Sequence, residues 1–349
     1  MILIRAVQKK DAKDLLSLAQ TPGMFNLPTT REGMMERIEL AQKSFKSSGQ
    51  ELTKTKYVFV AEDLAKREVV ATSMIAGQHG TEQSPHYYFK VGTEKHFSPA
   101  IQTGFIHGTL FLKAQTDGPS ELGALLVNEK YRNHPARVGR QIFFARFLYL
   151  HLHRARFKSE LLAELLPPLN KKGHSPLWEA IGRRFTNLDY WEADALSAKN
   201  KEFIFDLFPS GKIYTTFLSA DARNAIGKVG VNTEPVLHLL KRIGFQYQNE
   251  IDPFDGGPHL RAKVDDLKIL KKVKAVNLGE AKTNKPELVS GLITACNPSE
   301  PSKGDFSALS IEGSLEGDTL KVVPGTDLKQ VRKILKLGAK ELVFFLPYF

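Results

Sequence analysis

The sequence predicts an α/β protein with a mixed sheet flanked by helices, followed by a small β-barrel-like domain. Short β-rich runs alternate with amphipathic helical patterns as far as about residue 260. Residues 120–150 read as a buried strand, a basic turn and an apolar helix. Beyond Val264 the composition changes to short β-type runs separated by Gly, Pro, Asn and Asp. A layered α/β domain over 1–263 and a β-rich domain over 264–349 are therefore expected.

The first 45 residues predict one strand and two helices. Residues 1–7 alternate briefly as a strand, and Asp11 is placed to cap the helix that follows. Thr29 with Glu32 fits a capping box, which predicts the start of a second helix. One face of that helix carries Met34, Ile38, Ala41 and Phe45 at spacings of four, three and four.

Antiparallel strands are predicted next. Residues 56–62 and 68–76 are β-rich and joined by a polar segment, as in a hairpin. Residues 86–93 and 105–112 are further strand candidates, whereas 160–166 fits a strand or a helix equally well.

The rest of the chain predicts three more helices and a strand-rich tail. Residues 175–181 and 200–207 have helical patterns, and 232–243 is an amphipathic helix ending at Gly244, with a strand over 245–251. The tail contains one helical piece, 327–337, and four β-type runs: 288–295, 306–311, 320–323 and 342–346.

Charge and cysteine content narrow the function class. The net charge of +11 invites a nucleic-acid interpretation, but the basic residues are scattered along the chain and match no DNA-binding motif. Part of this charge is available for an anionic small ligand. The single cysteine, Cys296, excludes a disulfide within the chain, and there is no signal-peptide pattern or long uncharged run. We expect a cytoplasmic protein that binds neither nucleic acid nor membranes.

The strand–turn–helix at 120–150 is the candidate phosphate site. A helix N-terminus presents backbone N–H groups, and a glycine permits close approach of a ligand. Arg132, Arg137 and Arg140 surround Gly139 at this point. The alternative is an ordinary structural turn with a solvated basic surface.

Two motifs are similar to those of the GNAT acyltransferase superfamily. The turn Arg137-Val138-Gly139 resembles its acyl-CoA pyrophosphate loop, although Arg137 stands where that loop has its first glycine. The segment 240–245 resembles the late helix-to-strand junction of the same fold. The resemblance implies a GNAT-like mixed sheet.

A wider set of residues resembles one branch of that superfamily, the arginine N-succinyltransferases. The set is Tyr57–Val60 with Glu62-Asp63, Val91–Thr93, Thr109–Leu112, Ser120–Leu122, Gly173, Ser175-Pro176, Trp178, Gly182, Arg184-Phe185, Ile213–Thr215, Phe217–Ser219 and Phe254–Pro258.

This resemblance implies transfer of a succinyl group from succinyl-CoA to the α-amine of L-arginine, in arginine catabolism. It implies succinyl-CoA binding near Leu125, with Val138 and Gly139 in the phosphate loop. It also implies a proton-donating histidine at the position that Gly230 occupies here. Either that histidine is dispensable, another group acts, or this chain uses different substrates.

Several side chains are candidates for the remaining chemistry. Glu121 begins the central strand and is proposed to accept the amine proton or hold the guanidinium; the alternative is a strand-edge carboxylate. Tyr214 or water is proposed to serve the leaving thiolate, and further candidates by residue type are His107, His134 and His174.

Substrate charges add four more candidates. Arg183 or Arg184 is proposed for the succinyl carboxylate, and Asp252 and Asp255 for the guanidinium of arginine. The alternative for residues 255–258 is a plain tight turn. His151 and His153 do not share a helix face, and no metal or prosthetic group is expected.

Three other functions remain open. They are an acyltransferase for another amine or acyl-CoA, a catalytically impaired subunit or binding homologue, and a nucleic-acid binder, against which the scattered basic residues argue. A homo-oligomer and a hetero-oligomer are both left open.

Overall fold

The computed structural model describes residues 1–20, 27–47, 49–197, 202–281, 287–295, 306–338 and 341–348. They form two compact units. The first comprises Met1–Gly77, Leu122–Lys158 and Leu267–Phe349; the second comprises Gln78–Glu121 and Ser159–Asp266. Residues 267–349 thus group with the first unit, and an independently folding domain over 264–349 stays a prediction. Cys296 lies outside the described residues.

The strands are numbered in chain order: β1 (Ile2–Ala6), β2 (Lys56–Asp63), β3 (Glu68–Ala76), β4 (His86–Ser98), β5 (Thr103–Gln115), β6 (Ser120–Val127), β7 (Glu160–Glu164), β8 (Ile213–Tyr214), β9 (Gln246–Ile251), β10 (Pro258–Lys263), β11 (Lys274–Glu280), β12 (Val289–Ala295), β13 (Ser307–Glu316), β14 (Thr319–Val322) and β15 (Val343–Pro347).

The α-helices are α1 (Ala12–Ala19), α2 (Arg31–Lys46), α3 (Val138–Leu152), α4 (Pro176–Ala180), α5 (Gly182–Thr186), α6 (Tyr190–Ser197), α7 (Glu202–Leu207), α8 (Ala220–Ala225), α9 (Glu234–Ile243) and α10 (Leu328–Ile334).

The first unit combines an open sheet with a closed barrel. Its strands follow the order β6, β3, β2, β1 and β13. β13 then pairs with both β12 and β14, and the circuit β13–β12–β15–β11–β14 closes. Closure removes the exposed strand edges that an open sheet would present. The predicted mixed sheet with helices and a β-barrel-like C-terminal part is confirmed.

The β2–β3 hairpin carries buried apolar side chains on both of its faces, so helices cover it on both sides. Val58 and Val60 pack with the buried side of α1 and α2. Tyr57 and Phe59 point the other way and meet Tyr149 of α3, with ring centroids 5.2 and 5.3 Å apart. The predicted apolar face of α2 is buried.

Two capping predictions for this unit are wrong. Asp11 makes no side-chain capping bond to α1, because its carboxylate binds the buried guanidinium of Arg5 at 2.7 Å. α2 is capped by Thr30, whose hydroxyl accepts a bond from Gly33 N–H, and not by Thr29.

The second unit is built on a separate stretch of mixed sheet. Its order runs from the first residues of β6 through β7, β10, β9, β4, β5 and β8. β7 lies parallel to β6 and antiparallel to β10, which settles residues 160–164 as a strand. β10 was not predicted, because Pro258 suggested a turn; here that proline is the first residue of a strand, a position it tolerates.

Helices α4 to α9 complete the second unit. Ser175 caps α4 by accepting bonds from Leu177 and Trp178 N–H, with Pro176 at the first helical position as predicted. The buried Trp178 ring stacks on Phe254 at 4.9 Å, which fixes the turn after β9. Within the part of the chain that the structure describes, no helix is long and apolar enough to span a membrane.

Candidate functional site

The first unit holds the strand–turn–helix predicted to bind phosphates. In the middle of β6, Ala124 has a φ of 49°, which interrupts the regular extended backbone. Such a residue bends a strand locally and changes the direction of the next peptide N–H. The half-buried Leu125 follows directly, so its N–H belongs to the irregular part of the strand.

The turn before α3 places Arg137 in the left-handed region. Its φ and ψ are 49° and 50°, a conformation that glycine adopts without steric cost. This left-handed conformation explains why a glycine is expected at position 137. Its side chain is exposed, at the N-terminus of α3. A β-carbon added at Gly139 would lie 3.3 Å from Val127 Cγ2, so the helix approaches the strand closely there.

The other two arginines of this site differ in their contacts. Arg132 is exposed and lies 3.8 Å from a Glu129 carboxylate oxygen. Arg140 is half-buried, with its guanidinium 4.9 Å from the centre of the Tyr348 ring. Arg137 and Arg132 thus present the more accessible positive charges, while Arg140 packs against an aromatic face.

The second unit holds the predicted acidic turn. Asp252 Oδ1 accepts bonds from the N–H groups of Phe254 and Asp255, and Asp255 Oδ1 accepts one from Gly257. Gly256 has a φ of 83°, and a β-carbon on Gly257 would lie only 2.1 Å from Leu165 O. The two glycines therefore let the turn press against the chain just after β7.

Burial and acidic neighbours raise the pKa of one carboxyl group in this turn. Burial, together with the negative charge of Asp252, holds the pKa of the Asp255 carboxyl well above its usual range. The Glu164 carboxylate contributes in the same direction. A cation placed here would relieve that repulsion.

Histidines gather around Glu164 at the end of β7. His259 of β10 is its register partner, with Nε2 3.6 Å from Glu164 Oε1. His86, at the start of β4, lies 3.6 Å from the same oxygen through Nδ1, and His79 lies 4.0 Å from it through Nε2. His86 and His259 are buried, with rings stacked at 5.1 Å.

Glu121 joins this cluster through His79. Its Oε2 lies 3.0 Å from His79 Nδ1, and its side chain is buried. The structure thus brings Glu121, Glu164, Asp252 and three histidines into one region of the second unit, where ligand atoms of Asp252, His259 and Glu164 lie within 4.8 Å of one another. The strand-edge alternative for Glu121 does not fit a buried carboxylate beside an imidazole.

Gly230 lies beside the same strand end. Its N–H donates to Leu166 O at 2.9 Å, two residues beyond Glu164. A β-carbon there would meet Pro167 O at 3.0 Å, which is tight but not prohibitive. Gly230 has no side chain to donate a proton, and its backbone is held against residues 166 and 167, just after β7.

Tyr214 belongs to a different group of side chains. Its hydroxyl donates to Glu94 Oε2 at 2.5 Å, and Lys212 also binds that carboxylate. These hydrogen bonds lower the pKa of Glu94 to about 2, whereas the bond to Glu94 raises that of Tyr214. Tyr214 is therefore a weaker acid than a free phenol, which disfavours proton donation to a thiolate.

Arg183 forms two ion pairs with nearby carboxylates. Its guanidinium binds Glu179 at 2.6 Å and Asp189 at 2.7 Å, and both bonds raise its pKa. Arg184, its neighbour in α5, is exposed. Arg184 is the more accessible of the two proposed partners for a succinyl carboxylate.

Four residues of the cluster around Glu164 were not predicted as site residues: His79, His86, Glu164 and His259. They come from three separated parts of the chain, and no local spacing connects them. The one local signal is that His259 directly follows the turn residues Gly256, Gly257 and Pro258. Among the three histidines proposed by residue type, His107 bonds to Thr216 Oγ1 at 3.0 Å, and His174 Nδ1 lies 3.3 Å from Glu179. The ring of His134 stacks on Tyr131.

Comparisons with known proteins agree with this architecture. A family model described as arginine N-succinyltransferase beta subunit matches residues 2–269. An arginine N-succinyltransferase of Escherichia coli O1:K1 is 32% identical over 340 residues, covering 96% of this chain and 92% of its own. The arginine N-succinyltransferase subunit beta of Pseudomonas aeruginosa is 36% identical over 272 residues, or 77% of this chain and 78% of its own.

A solved structure extends the likeness to the whole fold. It is described as arginine/ornithine succinyltransferase subunit AI from Pseudomonas aeruginosa. The TM-score is 0.83 at 25% sequence identity, and the match covers 99% of this chain and 98% of the other.

Proposed function

The chain belongs to the arginine N-succinyltransferase family, and we propose that it transfers the succinyl group of succinyl-CoA to the α-amine of L-arginine. The observation that carries the proposal is the similarity to arginine N-succinyltransferases over nearly the full length of both chains. The charges of the two units also support it. Arginines lie near the start of α3 in the first unit, and succinyl-CoA is anionic. Carboxylates gather in the second unit, and arginine is cationic.

The first unit is proposed to bind succinyl-CoA. The N-terminus of α3 offers backbone N–H groups and a positive dipole end to the pyrophosphate. Arg137 and Arg132 add exposed positive charges, with Val138 and Gly139 forming the turn and Arg140 behind it. The N–H of Leu125, beside the irregular Ala124, is the proposed donor to the thioester oxygen.

The second unit is proposed to bind arginine. Asp252 and Asp255 supply carboxylates for the guanidinium, whose positive charge would offset the repulsion from Asp252 that adds to burial in raising the pKa of Asp255. Glu121 is proposed to accept the amine proton or to hold the guanidinium. Arg184 is the proposed partner of the succinyl carboxylate.

The reaction needs a neutral amine, donors for the tetrahedral oxyanion and a proton for the departing thiolate. The amine nitrogen attacks the thioester carbonyl, the amine loses a proton, and the carbon–sulfur bond breaks to release CoA. Water is the proposed proton source for the thiolate, since Tyr214 is bound to Glu94 and Gly230 has no side chain.

A second candidate substrate is ornithine. The solved relative is described as acting with arginine or ornithine, and both amino acids carry an α-amine and a side-chain cation. Initial rates with the two amines, measured as CoA release from succinyl-CoA and from acetyl-CoA, test the choice of substrates.

We also propose that the protein forms a homo-oligomer. The β4–β5 hairpin ends in a tip with exposed apolar side chains on both strands and in the turn between them: Phe97, Ile101, Phe105 and Ile106. Exposed apolar surface of this kind marks interaction sites in soluble proteins. Relatives described as subunits support an oligomer, either of one chain or of two different chains. The single cysteine supports the proposed cytoplasmic location.

A further inference from the structure

The buried cluster around Glu164 has the composition of a metal site. The ligand atoms of His79, His86 and Glu164 all lie within 4.8 Å of one another. Each residue supplies a donor that zinc accepts, namely imidazole nitrogen or carboxylate oxygen. This cluster goes beyond succinyl transfer, which needs no metal ligands.

The separations between these atoms favour a shared cation over direct hydrogen bonds. His86 Nδ1 lies 3.6 Å and His79 Nε2 4.0 Å from Glu164 Oε1. Hydrogen bonds to oxygen fall at about 2.7–3.2 Å. Two ligands on one tetrahedral zinc, each about 2.0–2.1 Å from the ion, lie roughly 3.3–3.4 Å apart. The distances to Glu164 Oε1 therefore need a contraction of roughly 0.2–0.3 Å for His86 and roughly 0.6–0.7 Å for His79.

The surroundings of His79 match those of a metal-binding imidazole. Its Nδ1 lies 3.0 Å from Glu121 Oε2, so the imidazole donates through Nδ1 and directs the lone pair of Nε2 towards Glu164. A metal-bound histidine characteristically donates its second nitrogen to a carboxylate, which fixes the tautomer and the ring orientation. Glu121 also remains able to contact substrate, because a carboxylate accepts several hydrogen bonds.

Packing holds the histidine rings in place. His79 and His86 meet edge to face with centroids 4.5 Å apart, and the His86 ring stacks with those of Tyr88 and His259 at 5.5 and 5.1 Å. His86 is 1% exposed, which restricts its rotamers. Preorganised ligands of this kind lose little entropy when they bind an ion.

We propose that His79 Nε2, His86 Nδ1 and Glu164 bind one zinc-class divalent cation, with Glu121 as the hydrogen-bond partner that orients His79. Three protein ligands leave the fourth position of a tetrahedral ion to water or to a substrate group. His259 is the register partner of Glu164 on the neighbouring strand β10 and is not one of the three proposed ligands.

The test measures metal on the full-length protein purified without a polyhistidine tag and without substrates. Zinc is added, free metal is removed, and bound zinc is counted by mass spectrometry; affinity is measured by competition with a chromophoric chelator. The proposal predicts about one zinc per chain. His86→Gln and Glu164→Gln should each lower the affinity at least tenfold, and Glu121→Gln by about tenfold.

His238→Gln is the matched control, since His238 is an exposed histidine of α9 in the same unit. It should bind zinc like the wild type. Bound Co²⁺ should show the visible d–d absorption of a four-coordinate ion in the wild type and lose it in His86→Gln. Circular dichroism of each variant separates lost ligands from lost folding.

A wild-type protein that retains no zinc contradicts the proposal. So does equal zinc affinity of the wild type and folded His86→Gln or Glu164→Gln, or an equal loss in His238→Gln. Succinyl transfer is assayed separately, so failure of the metal site and failure of the proposed reaction are distinguishable.

Discussion

The backbone N–H of Gly230 donates a hydrogen bond to the carbonyl oxygen of Leu166, two residues after Glu164. The position that resembles the family's proton donor therefore borders the end of β7 but offers no side chain. The β-carbon of a new residue would lie 3.0 Å from Pro167 O, so that carbonyl has to move slightly to admit a side chain. Its φ lies outside the left-handed region, so no backbone strain opposes a larger residue.

Gly230→His is expected to raise kcat for succinyl transfer at least tenfold, because a positioned proton donor contributes about 10²–10⁴-fold in rate. Gly230→Ala is the control for the added β-carbon and should leave kcat near that of the wild type. Steady-state CoA release at saturating substrates measures both. An unchanged kcat in a folded Gly230→His protein would mean that proton donation to the thiolate does not limit this enzyme.

Glu121→Gln keeps the size of the side chain but removes its charge. If Glu121 accepts the amine proton, kcat should fall by about 100-fold. If it holds the guanidinium instead, the KM for arginine should rise while kcat changes little. Glu82→Gln, at an exposed residue of the same unit, should leave both constants unchanged. Unchanged kcat/KM in Glu121→Gln would remove both roles.

Arg137 combines a left-handed backbone with an exposed positive charge. Arg137→Ala and Arg137→Gly should both raise the KM for succinyl-CoA by about tenfold, since each removes a charge-assisted contact to phosphate. Arg137→Gly should have the higher melting temperature of the two, because alanine retains a conformational cost of about 1 kcal/mol at positive φ. Arg137→Lys should keep most of the affinity.

The reverse order of melting temperatures, or wild-type KM in both truncated variants, would contradict this account of Arg137. Calorimetry measures the melting temperatures and initial-rate kinetics measures KM on the same preparations, so the backbone effect and the charge effect are checked independently.

The raised pKa of Asp255 predicts a pH dependence of cation binding. Below that pKa the carboxyl is neutral, so a cation gains little; above it the carboxylate is ionised and binding strengthens. Affinity should therefore increase as pH rises through the raised pKa, with a proton released on binding. Propylguanidine is the suitable probe, because it has no amine that titrates in this range.

Titration calorimetry in buffers of different ionisation enthalpy measures that proton release. Asp255→Asn should bind propylguanidine more weakly, with little dependence on pH, whereas Asp221→Asn at an exposed position should behave like the wild type. Proton release that persists in Asp255→Asn would assign the effect to another carboxyl.

The exposed tip of the β4–β5 hairpin predicts self-association. Phe105 and Ile106 are 62% and 66% exposed, so replacing both by Asp should not disturb the core. Light scattering coupled to gel filtration should show a homo-oligomer for the wild type and a smaller species for the double variant. Lys171→Asp, at an exposed residue of the same unit outside this hairpin, makes the same change in net charge and is the control. A monomeric wild type at all concentrations would contradict the proposal.

The sequence predicted those elements whose signals are local. The β2–β3 hairpin follows from two β-rich runs and a polar turn, and α9 follows from its apolar face and Gly244 at its end. Residues 160–166 were ambiguous because short apolar runs lack a distinguishing period. Only pairing of β7 with β6 and β10 resolved them.

The histidine cluster was not predictable for a related reason. His79, His86, Glu121, Glu164 and His259 are brought together by strand pairing between distant segments. In contrast, the basic turn before α3 is contiguous, so its arginines were recognised, while the interaction of Arg140 with Tyr348 required the fold.

The most direct test of the central claim is turnover of succinyl-CoA with L-arginine by the purified full-length chain. Thiol release is followed spectroscopically, and the product is analysed by tandem mass spectrometry. The account predicts one CoA released for each arginine that gains a succinyl group on its α-nitrogen, at a higher kcat/KM than with acetyl-CoA. Binding of succinyl-CoA without turnover of arginine or ornithine would contradict it and would identify the chain as a binding subunit.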